Sequence, residues 1–158
     1  MNNYLRAENA AVKEIEGLLE EAGWSDGWGL EDDEVRNAPS PLFYRNSTSA
    51  VAGEARVTEG GQTHLLYCIY NIIENRPHNA GNKPSDFDIT VALTFYYDDP
   101  FLFYEAERNG FIKYIDALLD RLAENNWTLS GEGEMPVPPT DNAQPYVQRK
   151  VIFVTNNF

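Results

Sequence analysis

The sequence is short of cysteine and histidine, of basic residues and of long apolar runs, and each shortage excludes a class of protein. Cys68 is the single cysteine, so no disulfide can close within the chain and nothing calls for an oxidising compartment. One cysteine with His64 and His78 cannot make the spaced thiolate and imidazole cluster of a zinc site. Glu31-Asp32-Asp33-Glu34 and Asp86-Phe87-Asp88 lack the ligand spacing and the glycine of a calcium loop, so no metal is expected. Gly131-Glu132-Gly133-Glu134 puts carboxylates where a phosphate cradle needs bare amides, and no lysine follows; neither a nucleotide nor any other cofactor is expected. No apolar run approaches the ~20 residues of a membrane-spanning helix. The opening Met1-Asn2-Asn3-Tyr4-Leu5-Arg6 has neither the basic patch nor the apolar core of an export signal. The expectation is a protein made in the cytoplasm with no membrane partner, in which Asn46-Ser47-Thr48 and Asn126-Trp127-Thr128 match the glycosylation pattern by chance.

The shortage of basic residues is the largest. Lys and Arg number 12 against 25 Asp and Glu, a formal net charge of −13 at pH 7. Residues 1–34 hold ten of the acids against Arg6 and Lys13 alone, which places −8 of that net in the first fifth of the chain. Nucleic-acid binding draws its affinity from cations that neutralise phosphates, so this sign argues against a DNA or RNA reader. The acidity either keeps the protein soluble or holds phosphates away from a surface.

What is present reads as one folded domain over residues 1–158, with 42% hydrophobic and 13% aromatic residues, too apolar for a disordered chain. In residues 1–23, Leu5, Val12, Ile15, Leu18, Leu19 and Ala22 fall on one helical stripe with Glu8, Glu14, Glu16, Glu20 and Glu21 around it, and Gly23 suits the helix end. Residues 24–63 read as an acidic and aromatic connector: an irregular Trp24 to Gly29, a solvated run at Glu31–Glu34, a turn between Pro39 and Pro41, one short strand at Leu42-Phe43-Tyr44 and a turn at Gly60-Gly61. Residues 64–158 read as a sheet with a second helix. His64 to Ile73 is a strand apolar on both faces, Asn75 to Ser85 a long turn, and Phe87 to Asp98 alternates strictly. Asp98-Asp99-Pro100 opens a helical region whose buried face is Phe111, Ile112, Ile115, Leu118, Leu119 and Leu122. Trp127-Thr128-Leu129 begins a strand, Ser130 to Pro145 is a loop, and Tyr146 to Val154 closes the chain as a strand. The order α-β-β-β-α-β-β has no βαβ rhythm and predicts an α+β fold, a mainly antiparallel sheet with two helices packed on one face.

Candidate chemistry is sparse. On a strand, His64 and Cys68 would share a face roughly 13 Å apart, beyond hydrogen-bond reach, and Cys68 reads as core. Asp98 and Asp99 resemble a carboxylate pair for acid–base work but have a sufficient role as helix caps. No catalytic residue is expected. The features suited to contact are Trp24 and Trp28 among glycines, and a loop presenting Glu132, Glu134, Met135, Pro136, Val137, Pro138 and Pro139 as a docking arm.

The pattern from His64 to Phe158 resembles the tail-terminator, or tail-completion, proteins of long-tailed bacteriophages. The residues that carry it are the strand Leu65 to Asn71, the strand Asp88-Ile89-Thr90-Val91-Ala92-Leu93-Thr94-Phe95-Tyr96-Tyr97 and the helix Phe111 to Asn125. The turn Asn126-Trp127, the strand Tyr146 to Thr155 and the N-terminal amphipathic helix complete it. The resemblance implies a non-enzymatic protein of the virion neck, assembled in the host cytoplasm. It implies a ring of identical subunits, usually six, that caps the tail tube protein and meets the head connector or stopper protein. DNA would then pass through the lumen without being held, which the net charge suits. The same acidity suits a DNA mimic or other protein-binding inhibitor acting as a monomer or dimer.

Overall fold

The computed structural model describes residues 3–46, 55–59, 61–78, 86–98, 112–137, 146–156 and 158. Helix α1 (Asn3–Glu21) forms because Ala7, Ala11, Val12, Ile15, Leu18 and Leu19 recur on one stripe, and all six are buried. Gly23 ends it with φ 97°, a left-handed conformation that costs glycine nothing. The amides of Gly23 and Trp24 then turn back to the carbonyls of Glu20 (3.1 Å) and Leu19 (2.9 Å), which otherwise lack partners at a helix end.

The connector is more regular than its composition suggests. Within Trp24–Gly29, Ser25–Asp26 forms strand β1, because Ser25 and Gly27 each donate an amide, at 2.9 Å, to the carbonyls of Pro41 and Phe43. The acidic run becomes the first turn of helix α2 (Asp32–Arg36), where carboxylates face the positive end of the helix dipole. The Glu34 carboxylate accepts the Glu31 amide at 3.2 Å, and Val35 is buried beneath the turn. Strand β2 (Leu42–Arg45) appears where expected, and strand β3 (Arg56–Glu59) precedes the turn at Gly61, φ 80°.

Strands β4 (Gln62–His78) and β5 (Asp86–Tyr97) form a long antiparallel pair. Pairing runs on through Asn75, Arg76, Pro77 and His78, so the turn expected from Asn75 is shorter than its proline suggested; residues 79–85 lie outside those described. Helix α3 (Ile112–Glu124) buries Ile115, Leu118 and Leu122 as its spacing requires. Strands β6 (Thr128–Val137) and β7 (Tyr146–Thr155) follow. The loop expected from Ser130 is therefore strand as far as Val137. An edge strand tolerates the proline and glycines that made it read as a loop, since one side of its backbone needs no ladder partner. The described strands form one seven-stranded sheet in the order β1-β2-β4-β5-β7-β6, with β3 paired to the start of β4. The β1–β2 and β2–β4 pairs are parallel and the rest antiparallel, so the chain has the α+β class with a mostly antiparallel sheet.

Alternation assigns the side chains to two cores. On one face Leu66, Cys68 and Tyr70 of β4, with Phe87, Ile89, Val91, Leu93, Phe95 and Tyr97 of β5, pack under α1 and α3. On the other, Leu65 and Tyr67 of β4 pack with Leu42, Tyr44, Val35, Ala38 and Ala55, so the connector supplies a cover for β2 and β4.

Candidate interaction surfaces

The residues singled out for contact separate into three environments. Trp24 is not a surface anchor: it is 2% exposed, because the turn at Gly23 folds its ring back between α1, β5 and α3. Its indole donates to the Tyr114 carbonyl at 3.0 Å, and the ring meets Phe95 and Tyr114 at centroid distances of 5.7 and 6.5 Å. Trp28 is 46% exposed. It leans edge-on against Tyr44, 5.7 Å between ring centroids, and its amide donates to the Asp26 carboxylate at 2.9 Å. Gly27 makes this possible, because a Cβ there would overlap the Tyr44 ring.

Trp28 begins a row of rings that crosses the sheet on the face away from the helices. Tyr44 meets Tyr67 at 6.4 Å, Tyr67 stacks on Tyr96 at 4.6 Å and 8°, and Tyr96 meets Tyr146 at 6.2 Å. Alternation placed Tyr67 and Tyr96 on this face, but only pairing across strands makes the row. Burial, and then the neighbouring Tyr96 and Tyr146, push the Tyr67 phenol well above its ordinary value. Tyr96 is raised for the same reason, burial first and then Tyr146.

The third environment is the edge strand β6. Glu132 does not project as part of an arm; its carboxylate accepts a hydrogen bond from the Arg149 guanidinium, whose Nε also donates to Tyr97 Oη at 3.3 Å. Glu134, Met135, Pro136 and Val137 stand in register with Arg149, Gln148, Val147 and Tyr146, as rungs of the ladder. Pro138 and Pro139 lie outside the described residues.

Several polar contacts escaped the sequence because they join distant segments. Glu14 and Glu16, which lie beside the apolar stripe of α1, accept hydrogen bonds from the Trp127 indole (3.1 Å) and the Tyr70 hydroxyl (2.7 Å). Burial, followed by that bond to Glu16, raises the Tyr70 phenol far above its usual range. The helix start that Asp98 and Asp99 were expected to cap falls at 99–111, outside the described residues. Asp98 uses Oδ2 to accept the Leu65 amide at 3.1 Å and meets His64 Nδ1 at 3.3 Å. That is the imidazole–carboxylate half of a general-base relay. The nearby Thr63 hydroxyl instead pairs with Thr58 at 2.9 Å, on the other side of the strand from His64. Cys68 is fully buried, and burial raises its thiol above the range in which a thiolate forms. Among the described residues no group of His, Cys, Asp and Glu is placed to hold a metal, and no helix is long and apolar enough to cross a membrane.

Neither a scan against protein-family models nor a search of curated proteins returns a match for this chain.

Proposed function

We propose that the protein is a non-catalytic neck component of a long-tailed bacteriophage, a ring of identical subunits that caps the tail tube and joins it to the head connector. The observation that carries this reading is an unequal sheet. Two helices close one face; on the other, the connector packs on β2 and β4 and the β5 residues Ala92 and Thr94 are buried as well, while among the described residues Lys150 of β7 is exposed and Ile152 and Val154 are partly exposed, towards the β6 edge. The element order β4-β5-α3-β6-β7 agrees with the order on which the resemblance rests. The exposed Glu20, Glu21 and Glu31 to Glu34 suit a wall along which DNA slides without being held.

The test is to mix the purified chain with tail tubes and image the tube ends by negative stain, with light scattering on the chain alone. Ring-shaped caps at one end support the proposal. A monomer or dimer that leaves tubes uncapped overturns it and favours the acidic mimic of DNA, which draws on the same carboxylates.

A further inference from the structure

Gly131 follows a register shift in the β6–β7 ladder, where glycine is common, whereas among the described residues nothing accounts for Gly133. Neither has a positive φ, and a Cβ built on either meets no atom of the described residues within 4 Å, so neither a left-handed backbone nor crowding among them requires glycine there. Glycine in a strand interior sacrifices conformational entropy and packing, and it often marks a place where another group approaches the backbone closely. Both glycines stand in register with Ile152 and Lys150, which alternate with the buried Val151 and Phe153. They therefore bare the backbone of β6 on the face turned away from the helices. Lys150 is exposed beside Gly133.

The opposite end of the sheet carries the complement. Trp28 stands beside β1, leaning on Tyr44 of the same far face. Exposed carboxylates surround it in sequence: Asp26, Glu31, Asp32, Asp33 and Glu34. Since β1 and β6 are the two ends of the strand order, a contact between them joins unlike edges of successive copies and propagates head to tail.

We propose that the bared strip at Gly131 and Gly133 is the seat for Trp28 of a second copy of this chain, the indole lying flat on the β6 backbone beside Lys150. The lysine faces the acids that flank Trp28 and can sit over the indole face. This rests on the ring reading and names the surfaces that close the ring.

The experiment is sedimentation velocity on the full chain and on two variants, Trp28→Ala and Gly133→Val, each checked for folding by its melting temperature. Each variant alone should associate at least about 30-fold more weakly than the wild type, the scale of losing a buried aromatic anchor. Gly133→Val should melt no lower than the wild type, because its side chain enters open space. A mixture of the two should form a one-to-one dimer and nothing larger, since each variant retains the surface that the other lacks. Either variant assembling as tightly as the wild type, or a mixture that stays monomeric, overturns the seat and leaves the ring reading standing. A wild type that forms only open chains, broken by both variants, keeps the seat and sinks the ring. A wild type that is monomeric at every concentration overturns both. Loss of tube capping in Gly133→Val with self-association unchanged assigns the strip to another protein and overturns the proposal.

Discussion

The two faces of the sheet share one backbone and differ in what closes them. On the helix face, Leu93, Phe95, Val151 and Phe153 are buried under α1 and α3. On the other face the cover is the connector, which reaches Leu65 and Tyr67, while Ile152 and Val154 on β7 keep partial exposure. Adjacent residues of β7 thus differ: Val151 is buried under the helices, and Ile152 is partly exposed on the far face. A strand's alternation assigns residues to faces, and the packing of remote segments decides which face becomes core.

The sharpest way to break this comparison is to empty the helix face. Phe95→Ala should cost about 3–5 kcal/mol in urea unfolding, the usual loss for a buried phenylalanine; a cost under about 1 kcal/mol would mean that α1 and α3 do not close this face. Alkali probes both faces together, through Tyr67 and Tyr70. Burial raises both phenols above their ordinary 10.0, so above that pH the unfolded chain releases protons that the folded chain retains. Stability should begin to fall near pH 9, where the buried Cys68 thiol is the first to titrate in the unfolded chain, and each phenol should add a loss of up to about 1.4 kcal/mol per pH unit above about pH 10. Tyr70→Phe should flatten the decline, and an unchanged slope in that variant would count against the assignment.

On the far face, Gly27→Ala should cost about 1–3 kcal/mol by thermal melting, because the new methyl must displace the Tyr44 ring and with it Trp28. The smallest effect belongs to the open part of that face. Ile152→Thr, at a partly exposed position, should cost no more than about 1 kcal/mol. Val151→Thr, one residue away, buries a hydroxyl and should cost about 1–3 kcal/mol. Equal costs in the two variants would erase the distinction between the faces.

Much of the fold was legible from period alone. The 3.6-residue stripe of α1, the buried face of α3 and the alternation of β5 and β7 each come from a local pattern that tertiary packing reinforces. Strand β6 was hidden because glycine and proline signal a turn when read locally, and its ladder with β7 supplies what local preference withholds. Trp24 was misplaced because the residues that follow it, Ser25, Asp26 and Gly27, are polar or small. Only the turn at Gly23 reveals that the ring points inward. Of the proposed seat, Trp28 was singled out from its glycine flanks, whereas Gly131 and Gly133 were read as a failed phosphate cradle and as part of a loop.

The sequence by itself determined the class of the fold, the principal helices and strands and the acidic bias, because periodicity and charge are properties of neighbouring residues. Tertiary structure alone decided which glutamates of α1 remain in solvent and which accept hydrogen bonds from Tyr70 and Trp127. It alone joined His64 to Asp98 and set five aromatic rings in a row across the sheet. These arrangements unite residues tens of positions apart, and a partner that distant is chosen by strand register and helix packing, on which no short stretch of chain carries information.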